Sequence, residues 1–178
     1  MTENNIPGRL ELRASNPAVA AALLVLELLN SSQISAVAER LLNSGYDSYS
    51  LRILAGEAAP VASDWFPVFI KAMAEMRVQM PARLEAARIV AREIAEMIIE
   101  KELAPQEGAQ SMWETLHLIT EFSREITIFA ELAWALDPGP DSKPFPELSK
   151  EQVERRIIDE ARRIATIGGD TAVPHKGC

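Results

Sequence analysis

The order of apolar and polar residues along the chain predicts a succession of helices, and the first of them is apolar on nearly every side. The run from Pro17 to Leu29 carries Glu27 as its one charged residue. Asn16 stands before it, and an asparagine N-cap followed by proline at the first helical position is a typical helix start. Because a helix that is apolar all round must be surrounded by other elements, we expect this one to be central.

Apolar residues spaced three and four apart predict further helices, each bounded by a capping residue, a proline or a glycine. The predicted ranges are 33–43, 47–55, 64–76, 81–103, a helix from 105 onward, and 149–165. Gly45 is expected to end the first of these in the left-handed conformation. The helix that begins at Pro105 either continues to Leu136 or breaks near residues 122–123, and the pattern leaves both open. Residues 56–63 and 137–147 are predicted loops.

Composition supports helices throughout and no strand. Valine, threonine and aromatic residues, which strands prefer, are sparse, whereas alanine and leucine are frequent. A chain of 178 residues is long enough for one self-sufficient core. We therefore predict an all-α fold, a compact single-domain orthogonal bundle of about six to eight helices. Residues 16–167 form the domain, 1–15 a flexible N-terminal segment and 168–178 a disordered C-terminal tail.

The net charge of −8 narrows the classes of partner. Nucleic acids and anionic membranes attract Lys and Arg, so an acidic chain is not expected to bind either. The apolar run 17–29 has 13 residues, too few to span a bilayer, and no basic region precedes it, so we expect no signal peptide. A single cysteine, Cys178, allows no intramolecular disulfide or zinc cluster. These features predict a cytoplasmic protein.

The negative charge is concentrated in residues 106–148, which contain eight acidic and two basic residues. Four of the acids recur at helical spacing around His117, and on one helix they would share a face. These residues, with the histidine, are the predicted surface for a basic protein partner: Glu107, Glu114, His117, Glu121 and Glu125. Acidity also serves solubility alone, and this alternative stays open.

The order Glu114-x-x-His117-x-x-x-Glu121 also permits a mononuclear metal site and a metal-assisted enzyme. Carboxylates beside His117 favour its charged form, which is a poor metal ligand. The chain contains no glycine-rich phosphate loop and no serine nucleophile elbow. The sequence therefore predicts no catalytic residue, no bound metal and no cofactor.

The aromatic residues offer another possible site, a ligand pocket. Its predicted lining is Trp65, Phe69, Trp113 and Trp134. Such a pocket would make the protein a small-molecule sensor or carrier. Aromatic side chains at helical spacing equally form cores, and the sequence does not separate the two roles.

Three segments of the chain can be compared with known sequences: Leu41–Gly56, which includes Asn43-Ser44-Gly45-Tyr46-Asp47, then Ala91–Trp113, and Phe129–Pro138 together with the last amphipathic helix. Together they resemble a family of small bacterial proteins of unknown function. The resemblance extends over about residues 20–165 and implies a helical, cytoplasmic protein. It departs from the family after Trp134, where Ala135-Leu136-Asp137 replaces the expected acidic residues. The resemblance carries no activity, so the favoured hypothesis is a non-enzymatic interaction module (adaptor, regulator or immunity-type inhibitor) of undetermined oligomeric state.

Overall fold

The computed structural model describes residues 6–56, 62–121, 123–137, 145 and 148–167. Over these ranges the chain forms nine α-helices and no strand, which confirms the predicted all-α fold. The helices are α1 (Ile6–Arg13), α2 (Pro17–Val25), α3 (Ser31–Asn43), α4 (Tyr49–Gly56), α5 (Ala62–Glu75), α6 (Arg83–Ile99), α7 (Pro105–Leu116), α8 (Arg124–Leu136) and α9 (Lys150–Thr166). None of these helices combines the length and the apolar character that crossing a membrane requires. The predicted tail 168–178 lies outside the described residues, as do 57–61 and most of 138–147.

The helices pack into two compact units, Met1–Val90 and Ala91–Cys178. In the first unit, α3 packs on α4, α4 packs on α5, and α1 contacts α2 and α3. In the second, α7, α8 and α9 pack on one another. The boundary between the units falls inside α6. The single domain predicted for residues 16–167 stays a prediction.

Helix α1 corrects the irregular conformation expected for the N-terminal residues, which is wrong for residues 6–13. Leu10 of this helix is fully buried. Glu11 accepts a hydrogen bond from the Arg40 guanidinium at 2.8 Å and another from the Gln33 side-chain amide at 3.0 Å. The hydrogen bonds of Glu11 therefore attach α1 to α3, and its partners Gln33 and Arg40 are 22 and 29 residues away in the sequence.

Helix α2 begins as predicted and ends four residues earlier. The Asn16 side-chain oxygen accepts from the Ala18 N–H at 2.9 Å, and the apolar side chains from Val19 to Leu24 are buried. Glu27 then adopts φ 58°. This left-handed residue lets the Leu28 N–H donate to the Leu23 carbonyl at 2.9 Å, which closes the helix end.

The predicted role of Gly45 is confirmed. Gly45 has φ 86°, its N–H donates to the Leu42 carbonyl at 2.9 Å, and the Tyr46 N–H donates to the Leu41 carbonyl at 3.0 Å. The same closing pattern follows α5 and α6, where Arg77 and Lys101 take the left-handed conformation. This kind of helix end therefore does not require glycine.

Helices α7 and α8 answer the question that the sequence left open, because the chain breaks after Leu116 and resumes a helix at Arg124. Glu121 lies in the break with φ 51°. Seven helical ranges are predicted from the sequence. The division of the range that begins at Pro105 into α7 and α8, together with α1, brings the number of described helices to nine. At the start of α9, the predicted capping box is confirmed: Ser149 Oγ accepts from the Gln152 N–H at 3.3 Å, and Gln152 Oε1 accepts from the Ser149 N–H at 2.7 Å.

Candidate functional site

A groove forms in the second unit where α7 lies beside α8. Its α7 side consists of Gln106, Gln110, Trp113 and Glu114. Gln110 lies four residues after Gln106 and three and four residues before the other two, so all four follow one face of the helix. The opposite face of α7 is apolar and buried, with Met112 and Leu116 fully enclosed. The amphipathic pattern of α7 thus presents this polar and aromatic face away from the core.

The α8 side of the groove combines small residues with one large exposed one. Ala130, Ala133, Trp134 and Asp137 line it, again at spacings of three and four. The two alanines add little bulk next to the large Trp134 ring. The groove has a volume of about 250 Å³.

The two tryptophans of the groove meet edge to face. Their ring centroids are 6.4 Å apart and the ring planes cross at 67°. Trp113 is half-buried, whereas 55% of Trp134 is exposed. An indole ring that is exposed to this extent leaves apolar surface in contact with water, a feature that is common at binding sites.

His117 supports the Trp113 ring from the next turn of the chain. The imidazole stacks on the indole with centroids 4.4 Å apart and planes 21° apart. Its Nδ1 lies 2.7 Å from the Trp113 carbonyl oxygen. A carbonyl oxygen can only accept, so Nδ1 carries a proton in this hydrogen bond. His117 therefore contacts the backbone and ring of Trp113 and contributes to placing that ring.

The charged groups of the groove are both acidic. Glu114 and Asp137 line it, and its described lining includes no Lys, Arg or His. Gln110 Nε2 donates to Glu114 Oε1 at 2.7 Å, which orients the carboxylate along α7. The arrangement is an aromatic surface with two carboxylates beside it, a combination that attracts organic cations.

The break between α7 and α8 separates the acids that the sequence placed on a single helical face. Glu107 and Glu114 lie on α7, Glu121 in the left-handed connection and Glu125 on α8. The prediction that the four acids share one helical face is therefore wrong, because they are divided among α7, the connection and α8. Glu125 Oε1 lies 3.9 Å from Nη1 of Arg163 on α9, so an arginine of the protein itself offsets part of its charge. Of the five predicted partner-binding residues, Glu114 lines the groove.

The metal-ligand set that the sequence permits is not assembled in the structure. No three His, Cys, Asp or Glu residues within the described ranges form a group that could hold a metal ion, and Glu114, His117 and Glu121 all lie in those ranges. Glu121 falls beyond the end of α7, so the helical spacing that would bring its carboxylate back toward His117 does not apply. The end of α7 at Leu116 is thus the reason that Glu114, His117 and Glu121 do not form a ligand set.

The four aromatic residues predicted to line a pocket divide into two kinds. Trp65 is 7% exposed and Phe69 is fully buried, both within the first unit, so they are core residues. Trp113 and Trp134 do come together, and they line the groove. Sequence reasoning missed Gln106, Gln110 and Asp137. The helical spacing of Gln106 and Gln110 with Trp113 could have indicated these two residues. It could not have indicated that α7 packs beside α8.

A second groove, between α8 and α9, has a volume of about 440 Å³ but a different electrostatic character. Its lining contains three arginines and two glutamates: Arg124, Arg156, Arg163, Glu125 and Glu160. Arg163 Nε donates to Glu160 at 2.8 Å. Opposite charges here already pair within the protein, so this larger groove has less electrostatic preference for a charged ligand than the groove between α7 and α8.

Comparison of the chain with protein-family models, with curated proteins and with solved structures gave no match. The resemblance to small bacterial proteins that the sequence suggested stays a prediction. The function of the groove has to be inferred from its own geometry and charge.

Proposed function

We propose that this protein is a non-enzymatic cytoplasmic interaction module (an adaptor, a regulator or an immunity-type inhibitor) that binds a basic protein through the α7–α8 groove. The observation that carries the proposal is the pair Trp113 and Trp134, one half-buried and one 55% exposed, with Glu114 and Asp137 beside it. Glu107, the other acidic residue of α7, carries the same sign of charge.

The two kinds of residue supply different parts of binding. Aromatic side chains at the centre of an interface contribute much of its affinity, because they remove large apolar surface from water without losing many rotamers. Carboxylates around them contribute mainly to partner choice and to the association rate, since they attract a basic surface over a distance of about one Debye length. The groove presents both kinds side by side.

The test is capture from the native cytoplasm by the immobilised protein at low and at high salt, read by mass spectrometry. We expect one basic protein to be retained at low salt and released at high salt, because screening weakens interactions between exposed charges. Trp134→Ala and Glu114→Lys should each abolish its retention. Glu39→Lys makes the same charge change at an exposed position of the first unit and should leave retention unchanged.

Retention that ignores salt, or that Glu39→Lys reduces as much as Glu114→Lys does, would contradict the proposal. The first result would exclude a charge-directed interface, and the second would assign binding to net charge instead of the groove. An empty capture in both salts would equally count against a protein partner and would favour the small-molecule alternative.

The alternative, a small-molecule sensor or carrier, is supported by the same aromatic pair. The volume of about 250 Å³ lies below the roughly 300–1,000 Å³ that is usual for small-molecule pockets. A thermal-shift screen against a metabolite library tests it, because a ligand that binds only the native state must raise the Tm.

A further inference from the structure

We propose that the α7–α8 groove recognises the guanidinium group of an arginine on the partner. This inference rests on the proposed function and specifies its chemistry. The groove brings together two tryptophan rings, two carboxylates and two side-chain amides. A guanidinium group can stack on the rings, and its N–H groups can donate to the oxygens of the carboxylates and amides.

The tryptophan rings favour a flat, weakly hydrated cation. The two indoles cross at 67° with centroids 6.4 Å apart, so a group that stacks on the face of one ring is flanked by the other. A guanidinium is planar and delocalised and loses less hydration than an ammonium when it stacks on an aromatic face. The exposed Trp134 ring is accessible to such a group from outside the protein.

The polar groups of the groove favour a cation that carries several N–H donors. Glu114 and Asp137 supply carboxylate oxygens, and Gln106 and Gln110 supply amide oxygens. A guanidinium presents five N–H donors in one plane and can satisfy more than one of these acceptors at once. A quaternary ammonium has no N–H and would leave the acceptors without a partner, and a lysine ammonium is a compact, strongly hydrated charge.

Size and charge agree with a single side chain as the occupant. The groove of about 250 Å³ is small for a metabolite and suits the end of one long side chain. Its two formal negative charges stand without a described basic residue in the lining. The neighbouring groove between α8 and α9 provides the contrast, because its carboxylates already lie beside arginines of the protein itself.

The test uses three capped tripeptides that differ only in the central residue: acetyl-Gly-Arg-Gly-amide, acetyl-Gly-Lys-Gly-amide and the trimethyllysine equivalent. Each is titrated into the ¹⁵N-labelled full chain at constant ionic strength, and the indole N–H resonances of the three tryptophans are followed by NMR. We expect the arginine peptide to shift the Trp113 and Trp134 resonances and to bind about tenfold more tightly than the lysine peptide. Trp65, which is buried in the first unit, should not shift.

Two variants test the named groups, and two others serve as matched controls. Trp134→Ala and Glu114→Gln should each weaken the arginine peptide at least about fivefold, because they remove the exposed ring and one carboxylate. Leu118→Ala and Glu39→Gln change an exposed apolar residue and an exposed acid that do not line the groove, and should leave its binding unchanged. Circular dichroism of each variant verifies that its helices are retained.

Equal binding of the arginine and lysine peptides would overturn the inference in favour of unspecific charge attraction. Tighter binding of the trimethyllysine peptide would overturn it in favour of a cage for methylated amines, and no shift of either groove tryptophan would overturn it outright. These failures are distinguishable from failure of the proposed function. A salt-sensitive partner whose capture depends on Glu114, without selective arginine binding, would leave the interaction module standing and remove only its arginine specificity.

Discussion

Gly108 shows how one residue can be required by packing alone. It lies in α7, and a Cβ atom at this position would stand 2.3 Å from Cγ1 and 2.6 Å from Cδ1 of Ile98. Such distances are far inside van der Waals contact, so the absence of a side chain is what allows α7 to approach Ile98 this closely. The helical pattern does not indicate this requirement, since an isolated glycine within such a pattern suggests only a weaker helix.

Gly108→Ala should destabilise the protein by about 1–2 kcal/mol. Overpacking a core typically costs about 1–3 kcal/mol, and the better helix propensity of alanine returns up to about 1 kcal/mol. Urea unfolding measures the difference. Gly56→Ala is the matched control, because nothing lies within 4 Å of its added Cβ, and it should be neutral or stabilising. Equal effects of the two substitutions would contradict the packing argument.

Glu75 joins the end of α5 to the start of α4 through hydrogen bonds to one buried serine. Its two carboxylate oxygens accept from the Ser50 N–H and from Ser50 Oγ, both at 2.9 Å. Ser50 stands in the first turn of α4, where the backbone N–H has no partner within the helix. The hydrogen bond from the Ser50 backbone lowers the pKa of Glu75 below its ordinary value of 4.5, since it stabilises the charged form.

The lowered pKa of Glu75 predicts an acid-sensitive contribution to stability. Because the folded pKa lies below the unfolded one, the contribution is complete above about pH 4.5 and is lost as the pH falls from there through the folded pKa. Glu75→Gln should therefore have a lower Tm than the wild type at pH 7, and the difference should shrink below pH 4.5. Thermal unfolding between pH 7 and pH 3, with Glu39→Gln as the control, measures it. A difference that does not change with pH would contradict the assignment.

Among the elements, α1 illustrates what the apolar pattern can miss. The helix has eight residues and offers few apolar positions, so its periodicity is too short to be recognised. What holds it is tertiary: the buried Leu10 and the Glu11–Arg40 ion pair, whose side chains are 14% and 27% exposed. Local sequence does not contain this information, because the partners of Glu11 lie on α3.

Leu10→Ala should cost about 2–5 kcal/mol of folding free energy, the usual range for removing a fully buried leucine side chain. Leu12→Ala provides the control within the same helix, because Leu12 is 62% exposed and should change stability by less than about 0.5 kcal/mol. Both are measured by chemical denaturation. Equal small effects would show that α1 does not contribute to the core.

The break that separates α7 from α8 determines the candidate site, because the two helices line the groove together. The segment between Leu116 and Arg124 contains no glycine or proline to announce a break, and Glu121 takes the left-handed conformation that glycine would favour. The reversal of the chain here lets the face of α7 that bears Trp113 meet the face of α8 that bears Trp134. A continuous helix would have kept the predicted acidic stripe and would have formed no groove.

At the scale of the whole molecule, the prediction of a single domain can be tested directly. Buried residues of α6 lie on both sides of the boundary between Val90 and Ala91, for example Ala87 and Ile94. Since the boundary lies within one continuous helix, we expect a single cooperative unfolding transition. Phe69→Ala in the first unit and Phe129→Ala in the second should each reduce the free energy of unfolding by about 3–5 kcal/mol. Each should therefore lower the midpoint of that single transition.

Calorimetry together with circular dichroism checks this expectation. Two transitions, with each substitution lowering only one of them, would show that the units unfold independently and that residues 16–167 are not one domain. Coincident transitions, both lowered by either substitution, are the expected outcome.

The sequence by itself determined the fold class, most helix starts and the ends marked by glycine, because these depend on periodicity and on capping groups within a few residues. Asn16, Gly45 and the Ser149–Gln152 pair behave as local chemistry requires. Only the tertiary structure decided the helix ends at Glu27, Arg77 and Lys101, the attachment of α1 and the break before α8. It also decided that Trp65 and Phe69 lie in a core while Trp113 and Trp134 line a groove. The physical reason is that the attachment of α1 and the placement of the aromatic residues depend on contacts between residues far apart in the chain. The helix ends at Glu27, Arg77 and Lys101 close through local backbone hydrogen bonds, but none of these residue types prefers the left-handed conformation, so the sequence does not mark them.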